Sequence, residues 1–211
     1  MSFKYYTYGL TARRIIDKLA KRNMEGFYCE SREDAVDLVL SLMEKGSVVS
    51  WGGSETLKEA GIMEAINNGD YELIDRLAAQ TPEERREVFA RTVMSDYFLM
   101  STNAITLDGE LVNIDGNGNR LAALIHGPSH VIIIAGMNKV ATDVEAAYKR
   151  VKTNACPPNA VRLSRKTPCG ATGVCGDCMS PDCFCNQIVV TRRSGHTGRI
   201  KVILVGEELG Y

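Results

Sequence analysis

The chain switches repeatedly between two spacings of apolar residues. Residues 11–23 put Ile15, Ile16 and Leu19 on one helical face. At Ser31 the run S-R-E-D resembles a capping box, followed by Ala35, Val36, Leu38, Val39 and Leu42, so a second helix is predicted, ending near Gly46. Ser47 to Trp51 reads as a short strand, Gly52-Gly53 as a tight turn, and Ser54 as the cap of a helix to about Ile66. Tyr71 to Ile74 is a further short strand. Thr81-Pro82-Glu83-Glu84 combines a cap, a proline at the first helical position and an acid three residues after the cap, and opens a helix to about Val93. Asp96 to Ser101 reads as a buried strand. Ala104–Leu107 and Glu110–Ile114 flank the favoured hairpin turn Asp108-Gly109. A short helix from Arg120 to Ile125, a buried strand from His130 to Ala135 and a helix from Thr142 to about Lys152 follow.

Strands alternating with helices predict an α/β fold with a mainly parallel sheet flanked by helices. Near the end, Ile188–Arg192 and Ile200–Val205 surround Ser194–Gly198 and predict a closing antiparallel hairpin. With no internal repeat and no low-complexity linker, residues 1–211 form a single expected domain. Within it, 156–186 is a cysteine-rich loop.

The 25 Lys+Arg and 26 Asp+Glu nearly cancel, so nucleic acid and anionic membranes are not the expected partners. The longest uncharged run, Leu121 to Asn138, is broken by His126-Gly127-Pro128-Ser129-His130 and reads as no membrane span. The N-terminus MSFKYYTYGLTARR has no apolar signal segment, and a cytoplasmic location is expected. The size permits a homo-oligomer without requiring one.

Thiols in such a setting stay reduced, which changes the meaning of seven cysteines. Cys29 and Cys156 stand apart and read as small buried apolar residues. Cys169, Cys175, Cys178, Cys183 and Cys185 fall within 17 residues as C-x5-C-x2-C-x4-C-x-C. Four thiolates can complete a tetrahedral zinc site or hold a 4Fe-4S iron–sulfur cluster. Only one C-x2-C pair is present, and the uneven string on one segment favours iron–sulfur over zinc. Gly170, Gly173 and Gly176 let the backbone wrap closely and aim N–H groups at sulfur. Arg162, Arg165 and Lys166 can offset the cluster's negative charge. A redox dithiol at Cys175–Cys178 would expect a βαβ context around it.

Gly52, Gly53 and Ser54 sit where a strand meets a helix N-terminus, a favoured place for a phosphate or carboxylate, although the same residues also make an ordinary capped turn. Asn103 is polar at the end of a buried strand and joins them as a candidate ligand contact. Asp108 and Glu110 are candidates for general base or nucleophile, set against the plainer reading of an Asp-Gly turn with a solvated acid. His126, His130 and His196 show no metal-ligand spacing and read as structural or surface residues.

SVVSWGGSETLKEAGI, STNAITLDGELVNIDGNGNRLAALIHGPSHVIIIAGMNKV, TPCGATGVCGDCMSPDCFCNQIVV and VILVGEELGY together resemble the lactate utilization (LUD domain) family, in a branch with a C-terminal four-cysteine motif. The resemblance implies a fold like that of the ribose-5-phosphate isomerase, glucosamine-6-phosphate deaminase and CoA-transferase superfamily. It implies a component of an iron–sulfur redox system that oxidises lactate or a similar 2-hydroxy acid, with partner redox proteins. The motif cysteines fall on Cys169, Cys175, Cys178 and Cys185. Cys183 stands where that branch tends to have Arg, either a spare thiol or a substitute ligand. No catalytic residue carries over. Two other functions fit the residues: an isomerase- or CoA-transferase-like enzyme binding a small anionic substrate, and a non-enzymatic module stapled by zinc.

Overall fold

The structure is a computed structural model and describes residues 3–211. In chain order the elements are α1 (Phe3–Lys21), β1 (Glu25–Cys29), α2 (Arg32–Leu42), β2 (Val48–Trp51), α3 (Glu55–Glu59), α4 (Ile62–Asn67), β3 (Glu72–Ile74), α5 (Pro82–Val93), β4 (Tyr97–Met100), β5 (Ala104–Thr106), β6 (Leu111–Asp115), α6 (Asn119–Ile125), β7 (His130–Gly136), β8 (Val140–Ala141), α7 (Val144–Arg150), α8 (Cys156–Arg162), α9 (Pro168–Thr172), β9 (Gln187–Thr191) and β10 (Ile200–Val205). None of the helices is long and apolar enough to cross a membrane.

The local start signals work as chemistry predicts. Ser31 and Thr81 each accept a hydrogen bond from the backbone N–H three residues on. Asp34 and Glu84 return the bond to the cap residue's own N–H. The hydrogen bond from the Thr81 amide holds the Glu84 carboxyl below its ordinary value. Because α5 buries little, its cap matters: Thr81→Ala should lower the unfolding free energy by about 1 kcal/mol in urea titrations followed by circular dichroism. The helix expected from Ser54 to Ile66 is interrupted. Gly61 adopts φ +76°, a left-handed conformation that ends α3 and redirects the chain into α4.

Six strands form one sheet in the order β1-β10-β7-β4-β2-β3, every neighbouring pair parallel. The central strands are apolar on both faces because helices cover both. Val131 and Ile133 of β7 join Val202 and Leu204 of β10 in a core with α1 and α6. Ile132 and Ile134 join Ile203 and Val205 in a second core, against α2, α3 and α4. This is the expected α/β architecture.

A second sheet, β8-β5-β6-β9, is built on the predicted β5–β6 hairpin. It corrects the expectation at the C-terminus, because β9 and β10 do not form a hairpin. β9 pairs antiparallel with β6, and β10 runs parallel between β1 and β7. The reason is burial. IKVILV is buried at five of its six positions and needs cover on both faces, whereas a surface hairpin would leave one face wet. The Ser194–Gly198 segment is a crossover, tied down by the Ser194 N–H donating to Arg22 O at 2.9 Å.

The helix expected to end near Lys152 continues as well. A π-helical turn, Val151–Ala155, joins α7 to α8. Pro157 is tolerated because it falls in the first turn of α8. One side of this helical run packs Ala147, Val151, Ala155 and Cys156 on Ala104, Val112 and Ile114 of the small sheet. The cysteine-rich segment therefore begins as helix, and within it 163–167 and 173–186 are irregular.

Candidate functional site

Parallel strands deliver their carboxyl ends to one side of the sheet. Gly53 and Ser54 follow β2, Arg76 follows β3, Ser101 to Asn103 follow β4, Lys139 follows β7, and Tyr211 lies beyond β10. All of them line one cleft of about 270 Å³. The opposite wall comes from the small sheet (Asp115), the start of α6 (Arg120), the long helix (Cys156, Asn159 and Arg162) and the cysteine loop (Phe184).

Arg120 organises the floor. Its guanidinium donates to Asn113 Oδ1 at 2.7 Å, Ile114 O at 2.9 Å, Asn103 Oδ1 at 3.0 Å and Ser101 O at 3.3 Å. Its Nε lies 3.3 Å from Asp115 Oδ2. Burial pushes its pKa down, and the adjacent Asp115 carboxylate opposes that shift. Both Nη groups are thus fully engaged and Nε is ion-paired, so Arg120 cements the loops after β4 and β6 rather than offering hydrogen bonds to a ligand.

Lys139 is buried, at 2% exposure, and its Nζ donates to Tyr211 O at 2.7 Å. Desolvation, then the positive charge of Arg150, lower its pKa to about 7. A buried amine in this state can hold or release a proton near neutrality.

Of the residues expected to bind an anion, Gly53, Ser54 and Asn103 do line the cleft. Gly52 stands just behind it. Its amide donates to Leu99 O at 2.9 Å, and a Cβ there would lie 3.2 Å from Arg120 Cδ. Ser54 Oγ accepts from Leu57 N at 3.3 Å and so acts as the predicted cap. The Asn103 side-chain oxygen is occupied by Ile114 N and Arg120.

Asp108 and Glu110 are not brought to this cleft. Asp108 pairs with Lys18 at 2.7 Å, and that bond holds its carboxyl below the ordinary range. Glu110 pairs with Arg22 and Thr106. Both fasten the β5–β6 hairpin to α1. The histidines stay outside as well: His130 stacks on Tyr97 with centroids 5.0 Å apart, and His126 and His196 are exposed.

The cysteines adjoin one end of the cleft. Cys156, expected to be an isolated apolar residue, is buried, yet its Sγ lies 3.5 Å from Cys185 Sγ. The hydrogen bond between these two thiols raises the pKa of Cys156 and lowers that of Cys185 to about 7. Cys183 lies close enough to Cys178 and Cys185 to lower the pKa of both. Cys169 is buried in the first turn of α9, with its sulfur 3.3 Å from Thr167 Oγ1. Cys175 is partly exposed. Asp182 pins the loop, accepting from Lys166 N at 2.5 Å and pairing with Arg165 at 3.0 Å. The Asn186 amide donates to Asp115 O at 3.0 Å. Arg165 is thus paired outward rather than turned to sulfur, while Lys152, which also pairs with Asp177, helps lower the Cys185 pKa. Among the described residues no three His, Cys, Asp or Glu side chains converge closely enough to share one metal ion.

The model of the LUD domain matches residues 12–205. The chain belongs to the lactate utilization (LUD) domain family. Its fold is similar to that of a DUF162 family protein from Deinococcus radiodurans, with a TM-score of 0.52 at 13% identity, covering 94% of this chain and 98% of that one. A second solved structure, eIF2B delta from Chaetomium thermophilum, aligns with a TM-score of 0.37 at 15% identity, over 56% of this chain and 50% of that one. No curated protein matches.

Arg76, Arg120 and Lys139 are the LUD-domain cleft residues that sequence reasoning missed. Arg76 and Lys139 stand two and three residues beyond strand ends, at Ile74 and Gly136. Only a prior assignment of those strands to one parallel sheet would have singled them out.

Proposed function

We propose that this LUD-domain protein is a component of an iron–sulfur redox system acting on lactate or a similar 2-hydroxy acid. The cationic cleft takes the small anion, and the cysteine segment takes the cluster. The observation that carries this reading is a shared wall. Cys156 lines the cleft and touches Cys185, and Phe184 lines it as well, so a centre held by this loop would adjoin an anion in the cleft. Six thiols, none in a disulfide, supply a soft donor set suited to iron–sulfur chemistry. Cys169, Cys175, Cys178 and Cys185 would be the ligands, with Cys183 as a substitute. When bound, the cluster would supply one-electron transfer. The protein's own part is to bind and orient the anion and to hold a proton at Lys139 Nζ. Electrons would leave to partner redox proteins.

The test is anaerobic purification, reconstitution with iron and sulfide, then metal analysis, visible absorption and EPR. A brown protein with stoichiometric iron and acid-labile sulfide is expected. Zinc as the sole metal, with unfolding by chelator, would overturn the reading in favour of a structural zinc staple.

A further inference from the structure

Arg76 differs from every other cation in the cleft. Arg120 is saturated, Arg162 lies 3.4 Å from Glu55 and donates to Asn159 Oδ1, and Arg165 pairs with Asp182. Lys139 is bonded to Tyr211 O. Among the described residues, the Arg76 guanidinium has no hydrogen-bond or ion-pair partner within reach. The guanidinium lies over Gly53, with Nη2 2.2 Å from where a Cβ on that residue would stand. Desolvation and the facing charge of Arg162 lower its pKa, and the carboxylates of Asp115 and Asp75, neither within ion-pair distance, partly oppose that shift. Arg76 stands exposed at the mouth of the cleft, and a fork of free donors set beside a like charge is an arrangement that an oxyanion relieves.

We propose that Arg76 is the anchor for the oxyanion group of the cleft's ligand, a carboxylate or a phosphate, and that Gly53 is glycine because any side chain there would displace the guanidinium. This assignment rests on the reading of the cleft as an anion site and is independent of what the cysteines hold. Both oxyanions present oxygen pairs that a guanidinium can grip in bidentate fashion. Arg162 supplies the second positive charge. Ser54 Oγ, which accepts from Leu57 N, keeps its own O–H to donate.

The full chain as purified can be titrated with lactate, pyruvate and inorganic phosphate at constant ionic strength, by calorimetry and by the fluorescence of Trp51. Trp51 is the only tryptophan and stands two residues before Gly53. The variants are Arg76→Met, Arg76→Lys and Gly53→Ala. Gly53 does not have a positive φ, and the clash is with the mobile end of a side chain, so Gly53→Ala should fold normally, as circular dichroism would verify. At least a tenfold loss of anion affinity is expected in Arg76→Met and Gly53→Ala, with a smaller loss in Arg76→Lys, which keeps the charge and loses the fork. Tighter binding of lactate or pyruvate would identify a carboxylate ligand, and tighter binding of phosphate a phosphate ester. Wild-type affinity in folded Arg76→Met and Gly53→Ala would overturn this assignment and leave the anion cleft standing. A wild-type protein that binds none of the probes would overturn both, whatever its iron content.

Discussion

Arg120→Met should cost about 3–5 kcal/mol of unfolding free energy, because it removes one partner of a buried charged network and leaves the rest in place. The acceptors that lose a donor are Asn103 Oδ1 and Asn113 Oδ1, each keeping one backbone N–H, together with Ser101 O and Ile114 O, and the Asp115 carboxylate loses its charge partner. Asn113 is fully buried, so water cannot replace the lost donor. Arg120→Lys should rescue little, since one ammonium on a flexible stem cannot serve acceptors spread around a planar fork. Urea titrations of the three proteins, followed by far-ultraviolet circular dichroism, measure this directly. A loss below about 1 kcal/mol for the Met variant would mean that the floor of the cleft rearranges to satisfy itself.

Lys139 should behave in the opposite way. Its folded-state pKa is depressed to about 7 by burial, while in the unfolded chain it returns to the ordinary lysine range. Between pH 7 and about 10.5 the unfolded chain therefore binds a proton that the folded chain has released, and this group's contribution makes stability rise with pH across that window. Below pH 7 the folded protein carries the whole penalty of a buried ammonium. Lys139→Met removes that penalty and loses one hydrogen bond, to Tyr211 O. The variant should be more stable than the wild type at pH 6.5, on the order of 2–4 kcal/mol, and its advantage should shrink toward pH 10. Comparing the two proteins at each pH cancels the titration of the tyrosines and cysteines. An unchanged difference from pH 6.5 to pH 10 would show that the amine keeps its proton throughout. A buried amine that destabilises the fold is the signature of a residue placed for binding or proton transfer rather than for packing.

The elements read from the chain mostly stand where local chemistry put them. The capping boxes at Ser31 and Thr81, the Asp108-Gly109 hairpin and the apolar strands at 97–100 and 130–136 are all set by neighbours within a few residues. The Ser54 helix broke locally, at Gly61; the other two misjudged elements had long-range causes. β10 was free to leave β9 because its companions, β1 and β7, lie far back in the chain. The helix after Asp143 passed through Pro157 because a π-helical turn, packed on the small sheet, carried it to a position where proline is harmless.

The candidate site divides in the same way. Gly53, Ser54 and Asn103 were legible because a glycine turn or a polar residue at a strand end is a local signal. Arg76 and Lys139 were not, since nothing around either distinguishes it from a surface cation. Asp108 and Glu110 looked chemical in the sequence, but the approach of α1 engages them in ion pairs with Lys18 and Arg22. Cys156 looked solitary because the sulfur beside it is 29 positions away.

The sequence by itself determined the α/β class, the helix starts, the β5–β6 hairpin and the presence of five clustered thiols, because propensity, capping and spacing act over a few residues. Tertiary structure alone decided which strands neighbour one another, and therefore which side chains share the carboxyl edge of the sheet. Strand order is settled by matching buried faces across the whole chain, a long-range balance of hydrophobic burial that no short window of residues contains.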